Sequence, residues 1–145
     1  MHLAISLLLL TSLGLILWVV RRAAQVDRTA PTDPQWYDVK LFHDAAAILD
    51  DEDMRALLDT CAEEEELDSG MELRAWTMAS LLKDAPNSLH NPVARKTSTE
   101  LAHALESLLE RLDNHADREA LEKAIARTDA AYLAYRSYFY DLTGE

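Results

Sequence analysis

The sequence contains few of the residues that mark several large functional classes. Among its 145 residues there are only three glycines, four prolines and one cysteine. Phosphate-cradling loops and dinucleotide-binding fingerprints need closely spaced glycines, and no Gly-x-Ser-x-Gly elbow occurs, so these classes are excluded. The single cysteine, Cys61, makes no internal disulfide, which suits a reducing compartment.

Basic residues are also scarce. Fourteen lysines and arginines stand against twenty-six aspartates and glutamates, for a formal net charge of −12. Three of the bases, Arg21, Arg22 and Arg28, lie near the N-terminus, so the rest of the chain is more acidic still. Such a surface repels phosphate backbones and anionic headgroups. We therefore expect no nucleic-acid partner and no flat adsorption of this acidic part on anionic lipid.

Long hydrophobic runs are missing except at residues 3–20, which read LAISLLLLTSLGLILWVV. Eighteen helical residues cover ~27 Å, close to the ~30 Å hydrocarbon core of a bilayer. Trp18 falls where an aromatic ring favours the headgroup layer. A cleaved signal peptide has its basic residues before a shorter apolar core, whereas Arg21 and Arg22 follow this one. We expect residues 1–22 to be a retained transmembrane anchor.

The flanking charges also predict an orientation. The arginines lie on the C-terminal side of the hydrophobic run, so the positive-inside rule places the remainder of the chain in the cytoplasm. The expected location is the inner (plasma) membrane, with a single pass. Residues 23–35 contain Pro31 and Pro34 and are expected to form a flexible linker. Residues 36–145 are expected to form one acidic helical domain.

The composition of this domain favours an all-α fold. Alanine and leucine are abundant, whereas valine and isoleucine are sparse after residue 50. Apolar residues recur at spacings of three and four, which predicts a bundle of four to five helices. Five helices are expected. The first lies within Trp36–Leu49, the second starts at the acids at 50–53, the third is Met71–Asp84, the fourth runs from Thr97 to Leu112, and the fifth runs from about 118 to Leu142.

Several local signals refine these helices. Asp50 or Asp51 is expected to cap the second one, and Ser69 and Thr97 have capping-box spacing with glutamates three residues later. The Met71–Asp84 helix is apolar around much of its circumference, so we expect it to be the most buried. Residues 85–96 are expected to be a long irregular connection.

The last two helices are separated by a short turn and predict an antiparallel hairpin. The final helix is expected to span ~37 Å and the helix before it ~23 Å. The aromatic tail beyond Tyr132 is therefore expected to extend past the end of the shorter helix. That tail either packs on the Trp36–Leu49 helix or docks a partner, as tyrosines at interfaces do. The candidate docking residues are Tyr135, Tyr138 and Tyr140.

Acidic residues are densest between Asp50 and Glu72, where eleven carboxylates accompany one base, Arg55. This cluster is either a solvated helix face, a landing site for a basic partner or a weak divalent-cation site. A calcium loop needs a glycine among its ligands, and the acids at 50–53 have none. As candidate partner-binding residues we take Glu63, Glu64, Glu65 and Glu66.

No catalytic, cofactor-binding or metal-binding residue is predicted. Glu100 and His103 have the Glu-x-x-His spacing of carboxylate-bridged di-iron bundles, but those bundles need the motif twice and two further glutamates. Cys61 falls on an apolar helical stripe among acidic neighbours, so we expect a buried, unreactive thiol.

The sequence thus predicts a non-enzymatic, membrane-anchored interaction protein: a scaffold, assembly factor or regulator. Its acidic domain would meet a protein partner, either a basic one or a membrane complex. Two alternatives remain open. One is a metal-dependent helical-bundle enzyme, and the other is a membrane-active oligomerising effector whose transmembrane helix is itself functional. The oligomeric state is left open.

Overall fold

A computed structural model describes residues 35–144. The predicted anchor at 1–22 and the linker up to residue 34 lie outside the described residues. Contacts divide the chain into two units, residues 1–33 and 34–145, and the second contains every described helix. Within residues 35–144, no helix is long and apolar enough to cross a membrane.

The described part of the chain is all-helical, as predicted. It contains five α-helices and a short 3-10 turn at Ala85–Ser88, and no strand occurs among residues 35–144. The helices form a bundle around one apolar core. Their bounds are α1 Gln35–Ile48, α2 Asp51–Ala62, α3 Ser69–Asp84, α4 Pro92–Asp113 and α5 Arg118–Thr143.

The start of α2 follows the predicted capping signal. The side chain of Asp50 accepts a hydrogen bond from the Asp53 amide at 2.8 Å, and the Asp50 amide donates to the Asp53 carboxylate at 3.3 Å. This reciprocal capping box satisfies two amides that the helix itself leaves unpaired. The capping role predicted for Asp50 or Asp51 is confirmed for Asp50.

The start of α4 was predicted wrongly. The helix begins at Pro92, and the Asn91 side chain accepts from the Val93 amide at 2.8 Å. Asn91-Pro92 lies within the predicted irregular connection, but asparagine followed by proline is equally typical of an N-cap and the first helical position. Thr97 therefore lies inside α4, where its hydroxyl donates to the Val93 carbonyl at 2.9 Å. The connection between α3 and α4 is therefore shorter than predicted and consists of the 3-10 turn and residues 89–91.

The most buried helix is α4, not α3. Helix α4 packs along both α3 and α5 and buries nine residues, whereas α3 buries four. The apolar residues of α3 are spread around its circumference, so Leu73 is left exposed. The capping box predicted at Ser69 is also absent, since the N-cap is Asp68 and its side chain makes no capping bond.

Helices α4 and α5 form the predicted antiparallel hairpin. Residues 114–117 join them, and the buried Thr128 hydroxyl donates to the Ala104 carbonyl at 3.2 Å. Because α4 starts five residues earlier than expected, it spans ~33 Å beside the ~39 Å of α5. Most of the predicted length mismatch disappears.

The bundle has two ends that differ in chemistry. One, called the aromatic end below, comprises the first turn of α1, residues 89–97 and the last two turns of α5. The Asp38 side chain in α1 accepts from the His90 amide at 3.2 Å, and the antiparallel hairpin brings the C-terminus of α5 beside the start of α4. The other, called the acidic end, comprises the α2–α3 loop and the α4–α5 turn. An ion pair of 3.9 Å between Glu64 and Arg118 joins these two connections.

Candidate interaction surfaces

The predicted glutamate run lies in the loop that follows α2, and all four of its members are exposed. The chain leaves the helix through two backbone bonds, from the Glu65 amide to the Thr60 carbonyl at 3.1 Å and from the Glu64 amide to Cys61 at 3.3 Å. This is a Schellman motif, whose left-handed residue is usually glycine. Here it is Glu64, with φ of 58°.

Helix α4 ends in the same way on the other side of the acidic end. The Ala116 amide donates to the Arg111 carbonyl at 2.9 Å, and the His115 amide donates to Leu112 at 3.2 Å. His115 is the left-handed residue, with φ of 49°. Two polar side chains thus occupy backbone positions where a glycine would be less strained.

Glu64 and His115 both line a cleft of about 580 Å³ at the acidic end. Leucines from the α2–α3 loop, α4 and α5 form its apolar lining, and five carboxylates stand with two arginines and His115 at its polar part. The cleft therefore combines an apolar floor with a net negative rim. The leucines are Leu67, Leu109, Leu112 and Leu121, the acids are Glu64, Glu65, Glu66, Glu72 and Asp113, and the bases are Arg111 and Arg118.

The charges of this rim are only partly neutralised. Arg118 donates to Glu122 at 2.9 Å, and that hydrogen bond raises the pKa of the guanidinium. The more distant Glu64 adds to the same effect. The side chains of Glu65 and Glu66 make no ion pair within residues 35–144. The rim thus keeps unpaired negative charge beside exposed apolar surface.

The aromatic tail of α5 packs chiefly inward, so the docking role expected for Tyr135 is corrected. Tyr135 is 1% exposed and Phe139 is fully buried. Phe139 stacks on Phe42 of α1 with ring centroids 5.0 Å apart and meets Tyr135 edge-on at 4.8 Å. The tail packs here because burying two large rings against α1 stabilises the fold more than exposing them would.

The other two candidate tyrosines differ from each other. Tyr138 is half-buried, and its ring meets Phe139 edge-on at 5.2 Å. Its hydroxyl is buried and has no hydrogen-bond partner among the described residues. Burial raises the pKa of Tyr138, and the negative charge of Asp38 adds to the effect. Tyr140 is exposed on the last turns of α5, so of the three candidate tyrosines it alone lies free at the surface.

A polar contact that the sequence did not predict joins α2 to α5. The Tyr132 hydroxyl donates to Asp51, and Arg136 Nε donates to the same carboxylate at 2.9 Å. Arg136 Nη2 makes an ion-pair contact with it at 2.8 Å. Partial burial works against ionisation of Asp51, but these two donors outweigh it and lower its pKa. The Arg136 guanidinium also lies 5.1 Å from the centre of the Phe42 ring, in cation–π range.

Asp38 is the second polar residue that sequence reasoning missed. It is fully buried, one of its oxygens accepts from the His90 amide, and the other has no partner among the described residues. Its position was visible in the sequence, since it lies four residues before Phe42 on the buried stripe of α1.

The residues considered for metal or thiol chemistry do not line the cleft. Glu100 and His103 are exposed on α4 and do not point into the bundle. Among residues 35–144, no group of three histidine, cysteine, aspartate or glutamate side chains is placed to hold a metal ion. Cys61 is buried, as predicted, and burial raises its pKa to about 11, which leaves the thiol protonated near neutral pH.

The predicted docking residues therefore divide between the two ends of the bundle. The four glutamates share the acidic end with Arg118, whereas Tyr140 lies twenty-two residues further along α5, or ~33 Å. They cannot form one continuous patch.

Comparison of the chain with protein-family models, curated proteins and solved structures gave no match.

Proposed function

We propose that this chain is a single-pass, membrane-anchored interaction protein of the inner membrane. Its helical domain lies in the cytoplasm and binds a basic segment of a protein partner in the cleft at the acidic end. Its role is that of a scaffold, assembly factor or regulator rather than an enzyme. The cleft supports the proposal best, because it joins an apolar floor to a rim of unpaired carboxylates.

The composition of the cleft favours one kind of ligand. Five carboxylates against two arginines leave a negative rim, and the four leucines offer an apolar strip. A basic amphipathic helix has the matching pattern, with apolar residues on one face and lysines or arginines beside it. Charge complementarity at the rim speeds encounter and selects among partners, and the leucines supply desolvation energy.

The backbone at the cleft supports the same proposal. A non-glycine residue in the left-handed region costs about 1 kcal/mol or more. The chain carries that strain at Glu64 and at His115, which line the cleft together. A glutamate and a histidine at these positions contribute side chains to the rim that glycine would not. This is the pattern expected when binding, rather than stability, selects the residue.

The anchor supports the proposal through the sequence of residues 3–20 and the arginines that follow. Tethering to a membrane raises the local concentration of the domain around partners in or near the same membrane. A cleft of moderate size then suffices for function. If exchanging residues 3–20 for an unrelated anchor abolished partner capture, the transmembrane helix would itself be part of the binding site.

The test is in-cell photo-crosslinking of the full chain, with the crosslinking residue at Leu67 in the lining of the cleft. The variant combines Glu64→Lys, Glu65→Lys and Glu66→Lys. A matched control, Asp84→Lys with Glu100→Lys and Asp129→Lys, makes the same charge change at exposed sites that do not line the cleft. We expect a distinct crosslinked protein that the cleft variant loses and the control keeps.

Two results contradict the proposal. One is a crosslink pattern that is unchanged in the cleft variant or is lost equally in both variants. The other is the absence of any crosslinked protein. Circular dichroism of each purified chain shows whether the fold is retained, so that loss of binding is not confused with unfolding.

A further inference from the structure

Exposed apolar side chains are concentrated at the aromatic end of the bundle. Trp36 and Tyr37 in the first turn of α1 are 38% and 47% exposed, and their rings meet edge-on at 5.0 Å. Val93 at the start of α4 is 50% exposed, and Tyr140 near the end of α5 is 53% exposed. These four are most of the large apolar side chains that the described residues expose, since only Leu73 and Leu133 join them.

The charge of this end differs from that of the whole domain. No acidic residue lies between Asp84 and Glu100, whereas Arg95 and Lys96 do and are both exposed. Lys40 adds a third basic residue, but it pairs with Asp44, and Lys96 lies 4.0 Å from Glu100. Arg95 makes no ion pair within residues 35–144, and Asp141 is the exposed acid of the last turn of α5. Tryptophan and tyrosine accompanied by lysine and arginine are the residues that favour the headgroup layer of a membrane.

The large negative charge of the domain does not prevent this end from approaching anionic lipid. The loop at Glu64 lies beside Arg118, ~33 Å along α5 from Tyr140. The Debye length at physiological ionic strength is ~8 Å, so repulsion from that distance is largely screened. Flat adsorption remains unfavourable because it would bring the acidic end to the surface, whereas end-on contact does not.

The preceding sequence indicates what this surface meets. The hydrophobic run ends at Val20, fifteen residues before Gln35, and a fully extended chain of that length reaches only ~50 Å. Given the anchor of the proposed function, on which this inference rests, a bilayer is always within reach of the aromatic end.

We propose that the aromatic end docks on the headgroup layer of an anionic bilayer. The rings of Trp36, Tyr37 and Tyr140 enter the interface, while Arg95 and Lys96 face anionic lipid. The acidic cleft is then held away from the membrane, where it is open to a partner in the cytoplasm. The anchor supplies attachment, and the aromatic end supplies orientation.

The experiment uses the full chain reconstituted in vesicles of phosphatidylcholine and phosphatidylglycerol, with or without lipids brominated near the headgroup. Trp18→Phe with Trp76→Phe leaves Trp36 as the single tryptophan, and Trp18→Phe with Trp36→Phe leaves Trp76 as a matched reference on α3. We expect the emission of Trp36 to shift to shorter wavelength on reconstitution and to be quenched by brominated lipid. Trp76 is expected to show neither effect.

Charge reversal then tests the role of the basic residues. Arg95→Glu with Lys96→Glu is expected to reduce quenching of Trp36, and to do so only when phosphatidylglycerol is present. Lys123→Glu with Arg127→Glu makes the same charge change at exposed positions of α5 outside the aromatic end and is expected to leave quenching unchanged.

The outcomes separate this proposal from the anchor. A chain that floats with vesicles after an alkaline wash but shows equal quenching of Trp36 and Trp76 overturns membrane docking and leaves the anchor intact. If the chain does not float with the vesicles, the hypothesis that residues 3–20 anchor it is overturned. If neither charge reversal changes the quenching of Trp36, anionic lipid has no role in docking. If the emission shift of Trp36 requires added cytosolic protein, the aromatic end binds a protein instead.

Discussion

Helix α5 runs between two ends that are built in opposite ways. Near its C-terminus, Tyr135 and Phe139 are packed against Phe42, and nearly all of their surface is buried. Near its N-terminus, Arg118 faces a loop of exposed glutamates, and two polar residues hold left-handed backbone conformations. Apolar packing thus stabilises the first region. The second region carries exposed charge and two strained backbone positions, as binding surfaces often do.

The largest effect is expected from Phe139→Ala at the aromatic end. The variant leaves a cavity between Phe42, Tyr135 and Tyr138, and such truncations destabilise by about 3–5 kcal/mol. Urea unfolding followed by circular dichroism measures the change. Tyr140→Ala is the matched control, and as an exposed position it should change stability by about 0.5 kcal/mol or less. Equal effects would show that the tail is not part of the core.

The contact between α2 and α5 should have the next largest effect. Arg136→Ala removes one hydrogen bond and the ion pair to Asp51 and the contact with Phe42, with an expected loss of about 1–2 kcal/mol in the free energy of unfolding near neutral pH. Arg111→Ala, at an exposed site, is the control.

The same contact predicts a pH dependence. The pKa of Asp51 is lower in the folded state than its ordinary value of 3.8. Ionised Asp51 therefore stabilises the fold above that value, and the contribution is lost as the pH falls through the folded-state pKa. The difference between Asp51→Asn and the parent chain should shrink in acid. A difference in unfolding free energy that stays constant from neutral pH to about pH 2 would contradict this assignment.

A smaller effect, of opposite sign, is expected from Tyr135→Phe. The Tyr135 hydroxyl is buried without a partner among the described residues, so its removal should stabilise by about 1 kcal/mol. Tyr132→Phe is the matched change at a hydroxyl that does have a partner, Asp51, and should destabilise. Thermal unfolding of both variants compares them directly. If both substitutions changed stability in the same direction, the presence or absence of a hydrogen-bond partner for the hydroxyl would not explain the effect.

The smallest effects are expected at the acidic end. Glu64→Gly and His115→Gly relieve left-handed strain and should each stabilise by about 0.5–1 kcal/mol. Glu63→Gly removes the same charge at a residue with φ of −82° and should not stabilise. Differential scanning calorimetry resolves the comparison. If Glu63→Gly stabilised as much as Glu64→Gly, charge rather than backbone strain would be responsible.

Much of the fold was predictable because the signals that specify a helix lie in residues close together in the sequence. The spacing of apolar residues indicated all five segments, and the acids at 50–53 marked the start of α2 correctly. The error at α4 arose because Asn91-Pro92 has the same local preferences in a turn and at a helix start. Only packing on α3 and α5, which buries Ala94, Thr97 and Ser98, resolves that ambiguity.

The candidate surfaces were predictable only in part. Exposure of the glutamate run followed from its charge, because unpaired carboxylates stay in water. Tyrosine gives no such signal, since its ring packs in a core as readily as at an interface. Tyr135 and Tyr140 therefore looked equivalent in the sequence, although one is buried and the other is exposed. The cleft could not be foreseen either, since its lining comes from two segments of the chain, residues 64–72 and 109–121, that lie far apart in the sequence.

The sequence by itself determined the helices, the net negative charge and the hydrophobic run at 3–20, because these depend on residue type and on neighbours within one or two turns. Tertiary structure alone decided how that charge is distributed in space. The antiparallel hairpin separates Arg118 from Tyr140 by the length of α5, so an acidic domain has one end of low negative charge. That separation exceeds the Debye length several-fold, so at physiological ionic strength the charge at one end is largely screened from the other.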